Sequence, residues 1–480
     1  MLYKFDSIEA KKKILFLSLI MFLILFRLGI VLFLLSKYSA LSEEIEIQGI
    51  ARKIPEGDFN FKYAFYPFFI SPLVKLAGEK NSLYFTKLFS LILGIAFVFL
   101  SYYVTKNILF FLLLCFQPMG IYLSSLAKAD IIILIFSLLS FFYFLRYDER
   151  GDRKYIFLSS FFASLCVVFK YYIPIHFALF IAMLVRERFK LSRDVLFSYI
   201  QGFFPLFIFL PFFIIEPSNF LRTLGEQGRV QFGFDILEGE KNIFSAFLAL
   251  ACGFGFFTPY SILFFSLILF SSLFYVEKKV LLYSIIFSSS MFFSMYFVSP
   301  HLFLHYYYPA VIPLSYVLTR SKYKVKFFLV YFILLIFSGF KEKDFNYQWI
   351  PKLENDCKGK KAVFFLPASH FFLLETKMIK CDVLDSLIYD IELGSEDEVR
   401  EKVSSVLSAC KKDCIVFFDV SYKKTQEILI EDELRKKGFK FIKKIDSFDF
   451  FELDRFERFL FPVFKNLLFH FIFRIYHYSL

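Results

Sequence analysis

The sequence predicts a polytopic α-helical membrane protein of about eleven spans with a small carboxy-terminal α/β domain. Three observations carry this. Of the 480 residues, 58% are hydrophobic and 22% aromatic, 76 of them Phe, and mean hydropathy is +0.59; a single soluble core stops growing well before it could use so much apolar surface. Apolar runs of roughly 20 residues, the length that crosses a bilayer, recur along the first two thirds of the chain. From about Lys341 the runs give way to short apolar stretches alternating with helical patterns.

The runs place spans near 14–35, 83–104, 108–126, 130–146, 155–169, 171–186, 195–216, 244–276, 280–298, 306–319 and 326–340. Residues 155–186 read either as two short helices or as one broken helix, and Pro259 leaves 244–276 ambiguous. The run 14–35 is too long for a signal-peptide core and lacks a small-residue cleavage site, so it reads as a helix. These spans form a module over 1–340 with a large first loop, 36–82.

The formal charge of +12 does not read as a nucleic-acid surface, because the positive residues sit in short connections. The alternate connections 1–13, 105–107, 146–154, 186–193, 277–279 and 320–326 hold 19 Lys/Arg in 43 residues. The others, 36–82, 127–129, 217–243 and 299–305, hold 10 in 84. By the positive-inside rule the expected location is the cell membrane, multi-pass, with a cytoplasmic N-terminus. The first loop and the carboxy-terminal domain then lie on the extracytoplasmic side.

That domain spans 341–454. Ala362–Leu366, Cys414–Phe418, Phe439–Ile445 and Phe448–Leu453 read as strands, and 396–411 and 422–437 as helices. The tail 455–480 is aromatic, with charges interrupting it, and reads as an interfacial amphipathic helix. Cys357, Cys381, Cys410 and Cys414 fall in this region; they allow two disulfides in three pairings, or free thiols. The cysteines lack zinc-site spacing, and the domain shows no metal-ligand spacing.

Polar residues at membrane depth are expensive and therefore informative. The stretch 42–69 is the longest and most acidic inter-helix loop, with Glu43, Glu44 and Glu46 close together and Tyr66-Pro67 at its end. Arg27 lies in the outer half of the first span, where it either faces a cavity or snorkels outward. Asp130 opens the fourth span directly after Lys128, a place where an acid also caps the helix. Lys170 sits between two apolar runs as a buried counter-ion or a polar turn. His301 and His305 flank a Tyr-rich segment with Tyr306, Pro309 and Pro313, suited to a helix shaped to line a cavity.

In order along the chain, these pieces resemble the GT-C superfamily of polyprenyl-phosphate-sugar-dependent glycosyltransferases. The branch concerned holds the protein O-mannosyltransferases and the lipid A aminoarabinose transferases. The resemblance covers roughly 14–340. It rests on Glu43-Glu44, Ala51-Arg52 and Gly57-Asp58-Phe59; on Tyr66-Pro67-Phe68; on Gln117-Pro118 through Tyr122 to Lys128-Ala129-Asp130; on Lys170; and on His305-Tyr306 with Pro309 and Pro313. Two features depart from the family pattern. The first-loop acid is Glu rather than Asp, and Tyr-Pro-Phe stands where aminoarabinose transferases carry Lys-Pro-Pro, so that phosphate-binding lysine is missing unless Lys62 substitutes for it.

The resemblance implies an inverting transfer of a sugar from a polyprenyl-phosphate donor to a lipid, glycan or protein hydroxyl on the extracytoplasmic face. Glu43 is the leading base, Glu44 the alternate, and Asp130 orients a lysine or the acceptor. Arg52, Lys62, Lys128, Lys170, Arg222, Arg229 and His305 are the candidate cations for the leaving phosphate, with Arg27, Tyr66 and Tyr306 lining the cavity. No metal or other cofactor is obligatory, since Arg and Lys alone can meet a monophosphate; the lipid-phosphate sugar is a substrate. The alternative is a transporter or lipid flippase with a non-catalytic charged cavity, although the sequence shows none of the internal repeats that class carries. A membrane scaffold is the third class.

Overall fold

The computed structural model describes residues 42–57, 63–215, 260–275, 277–298, 307–338, 349–366, 381–388, 396–408, 414–419, 424–446 and 474–479, with a few isolated positions elsewhere. The first predicted span, 14–35, lies outside the described residues, as does most of 217–259.

What reads as a loop is structured. Residues Ser42–Lys53 form α1, followed by a 3-10 turn Ile54–Glu56 and a left-handed Gly57. Glu44 stands in its first turn and Arg52 and Lys53 in its last, the arrangement that complements the helix dipole. Glu44, Ile47, Gln48 and Ala51, at i, i+3, i+4 and i+7, share one face, and all four are buried.

That face packs on α2, Tyr66–Thr105, which begins with Pro67 in its first turn and is broken at Gly78, where φ is 69°. The second half of α2 lies antiparallel to α1. Arg52 Nη2 donates to Ser82 Oγ at 3.0 Å, Gln48 Nε2 to Thr86 Oγ1 at 3.1 Å, and Glu44 Oε2 lies 3.4 Å from Lys87 Nζ. The first half contributes Ser71 Oγ, which donates to the Ala51 carbonyl at 2.7 Å.

The predicted span 108–126 is divided into α3, Ile108–Phe116, and α4, Pro118–Ser124, because Pro118 lacks the N–H that would continue the ladder. Then come α5, Asp130–Arg150; α6, Lys154–Lys170; α7, Pro174–Arg186; and α8, Arg193–Gln201. A 3-10 segment Phe204–Phe209 leads into α9, Leu210–Ile215. The region 155–186 is therefore two helices, separated by Tyr171 in the left-handed conformation. After the gap follow α10, Tyr260–Ser272; α11, Lys278–Val298; α12, Val311–Arg320; and α13, Lys324–Ser338. Among the described residues Asn81–Thr105, Asp130–Arg150 and Arg193–Ile214 are long and apolar enough to cross a membrane, and they place the chain there.

Helices α5 and α6 meet through small polar residues: Ser159 Oγ donates to the Ser140 carbonyl at 2.7 Å, and Ser137 faces Cys166. Gly94 lets α2 approach α4 so closely that an added Cβ would stand 2.1 Å from Ser124 Oγ. The basic connections converge at one end of the bundle. Tyr147 donates to Glu187 at 2.6 Å, Tyr283 to Asp148 at 3.0 Å and Asn107 to Thr319 Oγ1 at 3.1 Å, and Arg320 pairs with Glu277 at 3.3 Å.

The carboxy-terminal elements are α14, Trp349–Cys357; β1, Lys361–Leu366; β2, Asp382–Ile388; α15, Glu396–Ser408; β3, Cys414–Asp419; α16, Lys424–Lys436; β4, Lys440–Asp446; and β5, Arg474–Ser479. They form one sheet of order β2-β1-β3-β5-β4, parallel across β2-β1-β3, with β5 antiparallel to both neighbours. Its apolar core, with Val363, Phe365, Val416, Phe418, Leu407 and Leu434, is separate from that of the bundle. Residues 474–479 correct the reading of the tail as an interfacial helix: Ile475, Tyr476 and Tyr478 favour a pleated surface and complete the sheet. Cys357 and Cys381 form a disulfide, and Cys414 is also disulfide-bonded, to a residue outside those described.

Candidate functional site

The end of the bundle opposite the basic connections gathers most of the described candidates. Glu44 lies on the packed face of α1 and is fully buried. Its Oε1 accepts a 2.6 Å hydrogen bond from the backbone N–H of Ala127, and its Oε2 meets Lys87, which is 5% exposed. Ala127 belongs to the turn between α4 and α5, and the same turn carries buried Lys128. A buried carboxylate thus ties α1, α2 and the α4–α5 turn together through one charge-assisted hydrogen bond and one ion pair.

Asp130 stands in the first turn of α5, whose N-cap is Ala129 without a side-chain cap. Its Oδ1 pairs with Lys170 Nζ from the last turn of α6. Capping alone therefore does not account for Asp130; it has a cation of its own, and Lys170 is the counter-ion rather than a polar turn residue. The backbone supports this corner, since Phe65 N–H donates to the Val168 carbonyl at 2.9 Å.

Tyr66 lies within electrostatic range of the two acids. It is 1% exposed, and its hydroxyl lies beside Ser90, near enough to Glu44 and Asp130 to feel both charges. On the far side of the turn, Tyr308 donates to Gln117 Oε1 at 2.6 Å, which brings the Tyr-rich segment against the break between α3 and α4. Residues 307–319 are buried.

Arg52 is not part of this cluster. It lies eight residues along α1 from Glu44, roughly 12 Å of helix rise, and is exposed. Arg27, Lys62, Arg222, Arg229, His301, His305 and Tyr306 lie outside the described residues, as does the side chain of Glu43. Sequence reasoning missed Lys87, Ser90 and Gln48. The rule that picks out Lys170, an ionisable group at membrane depth, also applies to Lys87, the fifth residue of the predicted span 83–104. Among the described residues no three His, Cys, Asp or Glu side chains group as metal ligands.

Comparison with known proteins bears on the fold. ArnT from Cupriavidus metallidurans, solved bound to undecaprenyl phosphate, superposes with a TM-score of 0.51 at 13% sequence identity, over 71% of this chain and 68% of that one. The chain has an ArnT-like fold. Residues 60–231 also match the model of a family described as predicted membrane protein, DUF2142. No curated protein sequence matches.

Proposed function

We propose that this chain is an inverting glycosyltransferase that moves a sugar from a polyprenyl-phosphate donor to a hydroxyl of a lipid, glycan or protein. The observation that carries the proposal is the pair of buried carboxylates, Glu44 and Asp130, each matched to a lysine and both close to Tyr66, in a helical bundle folded like ArnT.

The reaction is a single displacement. The acceptor oxygen forms a bond to the anomeric carbon as the carbon–oxygen bond to the phosphate breaks, and the acceptor proton must go to a base within hydrogen-bond reach. Glu44, packed against α2 and the α4–α5 turn, takes the role for which Glu43 and Glu44 are alternatives in the sequence. Asp130 holds Lys170 in place. The charge that builds on the departing phosphate is met by fixed cations, Lys170 and Lys128 at this end, with Lys87 holding the Glu44 carboxylate. The reaction so written needs no metal.

The site faces the extracytoplasmic side. Supporting this are the basic connections gathered at the other end and the Cys357–Cys381 disulfide, a bond that persists in oxidising compartments. The test is transfer of labelled sugar by the purified protein from undecaprenyl-phosphate-linked sugars, with the anomeric configuration of the product read by NMR. Inversion is expected; a product with retained configuration would contradict the single displacement.

A further inference from the structure

Among the described residues Gln48 Oε1 and Asp130 Oδ2 are buried without a hydrogen-bond partner, and the neighbouring hydroxyls of Tyr66 and Ser90 have none but each other. All four residues are at most 4% exposed. Buried polar atoms are normally paired, so a concentration of unpaired ones needs a reason. Several hydroxyls of the bundle satisfy themselves on their own helix: Thr86 donates to the Ser82 carbonyl, Ser101 to Val98 and Ser124 to Gly120. Ser90, one turn beyond Thr86, does not.

The four are placed together by the antiparallel packing of α1 on α2. Gln48 stands against Thr86, so Glu44, one turn back on α1, comes level with Lys87 and Ser90. Tyr66 lies beside Ser90 within reach of the charges on Glu44 and Asp130. The orientation of the Gln48 amide is fixed by its neighbour. The Thr86 hydroxyl proton is committed to the Ser82 carbonyl, so Thr86 Oγ1 can only accept, and the Gln48 NH2 must face it. Gln48 Oε1 then points away from Thr86 as an acceptor.

The set therefore presents two groups that only accept, Gln48 Oε1 and Asp130 Oδ2, and two hydroxyls that donate or accept. A phosphate, itself an acceptor, is repelled by the first two. A group bearing several O–H donors satisfies all four. We propose that Gln48, Tyr66, Ser90 and the second oxygen of Asp130 form the subsite that recognises the hydroxyls of the sugar, separate from the cations that hold the phosphate. This rests on the glycosyltransferase reading and adds to it which residues select for the glycosyl group.

The experiment measures affinity of the full-length protein in nanodiscs for undecaprenyl phosphate and for its mannosyl, glucosyl and arabinosyl forms, in wild type, Tyr66→Phe and Ser90→Ala. Each substitution removes one hydroxyl and keeps the surrounding packing, so both variants keep the wild-type thermal midpoint to within about 4 °C. The wild type binds at least one glycosyl form about tenfold more tightly than the bare lipid, and each variant loses about fivefold for that form while its affinity for the bare lipid changes less than about twofold. Two results overturn the subsite: variants that keep the full preference, which would mean that the oxygens serve only water, or a wild type that binds bare lipid as tightly as every glycosyl form. A wild type that binds none of these lipids would instead remove the glycosyltransferase reading.

Discussion

Replacing Glu44 by Gln separates the structural contacts of one carboxylate from the catalytic role proposed for it. Gln keeps the shape, and its carbonyl oxygen still accepts from Ala127 N–H, so the 2.6 Å hydrogen bond survives. What disappears is the charge opposite Lys87, whose ammonium lies 3.4 Å away in a site sealed from water. Breaking a buried pair on one side costs about 3–5 kcal/mol, because the remaining charge is uncompensated. Replacing both partners with uncharged groups is often close to neutral, so Glu44→Gln/Lys87→Met should recover stability to within about 1 kcal/mol of wild type. Activity should not recover with it. Loss of a general base costs about 100- to 10,000-fold in rate, and the double variant still lacks the carboxylate. Thermal unfolding in detergent and labelled-sugar transfer, run on wild type, both single variants and the double variant, give the two readouts. A double variant that regains both stability and transfer would refute the reasoning, because Glu44 would then be a structural acid only.

Further outcomes follow from other contacts. Lys170→Met leaves Asp130 without its ion-pair partner and should lower both thermal stability and transfer, whereas Asp130→Asn/Lys170→Met should regain stability alone; unfolding curves and transfer assays for wild type and these two variants decide this. Gly94→Ala forces a Cβ to within 2.1 Å of Ser124 Oγ and 2.5 Å of Ser124 Cβ, which no side-chain rotation relieves. It should cost about 1–3 kcal/mol, and Ser124→Gly in the same chain should restore the unfolding midpoint. Cys357→Ser opens a disulfide closing a separation of 24 residues and should destabilise the carboxy-terminal sheet by about 3 kcal/mol, read by its urea midpoint in the purified protein. Transfer should be unchanged by EDTA, since Lys and Arg are the groups proposed to meet the phosphate; a loss restored by added Mg2+ would require a metal in the account.

Much of the bundle is legible because its helices announce themselves twice. Asp130–Arg150, Lys154–Lys170, Pro174–Arg186 and Lys278–Val298 are apolar runs bounded by charges, Pro or Gly, and both signals agree. Helix α1 is hidden for the opposite reason. Its buried stripe includes Glu44 and Gln48, so the apolar periodicity that would reveal it is interrupted by the residues that matter most. Lys87 and Ser90 are concealed inside a run read only for its length. The division at Pro118 and the 3-10 segment around Pro205 are local backbone effects that a hydropathy window averages away. Strand β5 pairs with β3, more than fifty residues earlier in the chain, and a pairing that distant leaves no mark in local composition. For the site, the sequence supplies Glu44, Asp130, Lys170 and Tyr66 as separate candidates. Only the packing of α1 on α2 shows that Tyr66 lies within electrostatic range of both Glu44 and Asp130 and that Arg52 lies two turns from Glu44.

The central claim is chemistry rather than passage. Purified protein reconstituted in liposomes that contain an undecaprenyl-phosphate-linked labelled sugar, with a hydroxyl acceptor supplied, separates the two in one measurement. The account predicts that free undecaprenyl phosphate appears in equal amount to labelled product. Movement of intact glycosyl lipid between leaflets, with no undecaprenyl phosphate released, would contradict it and identify a transporter.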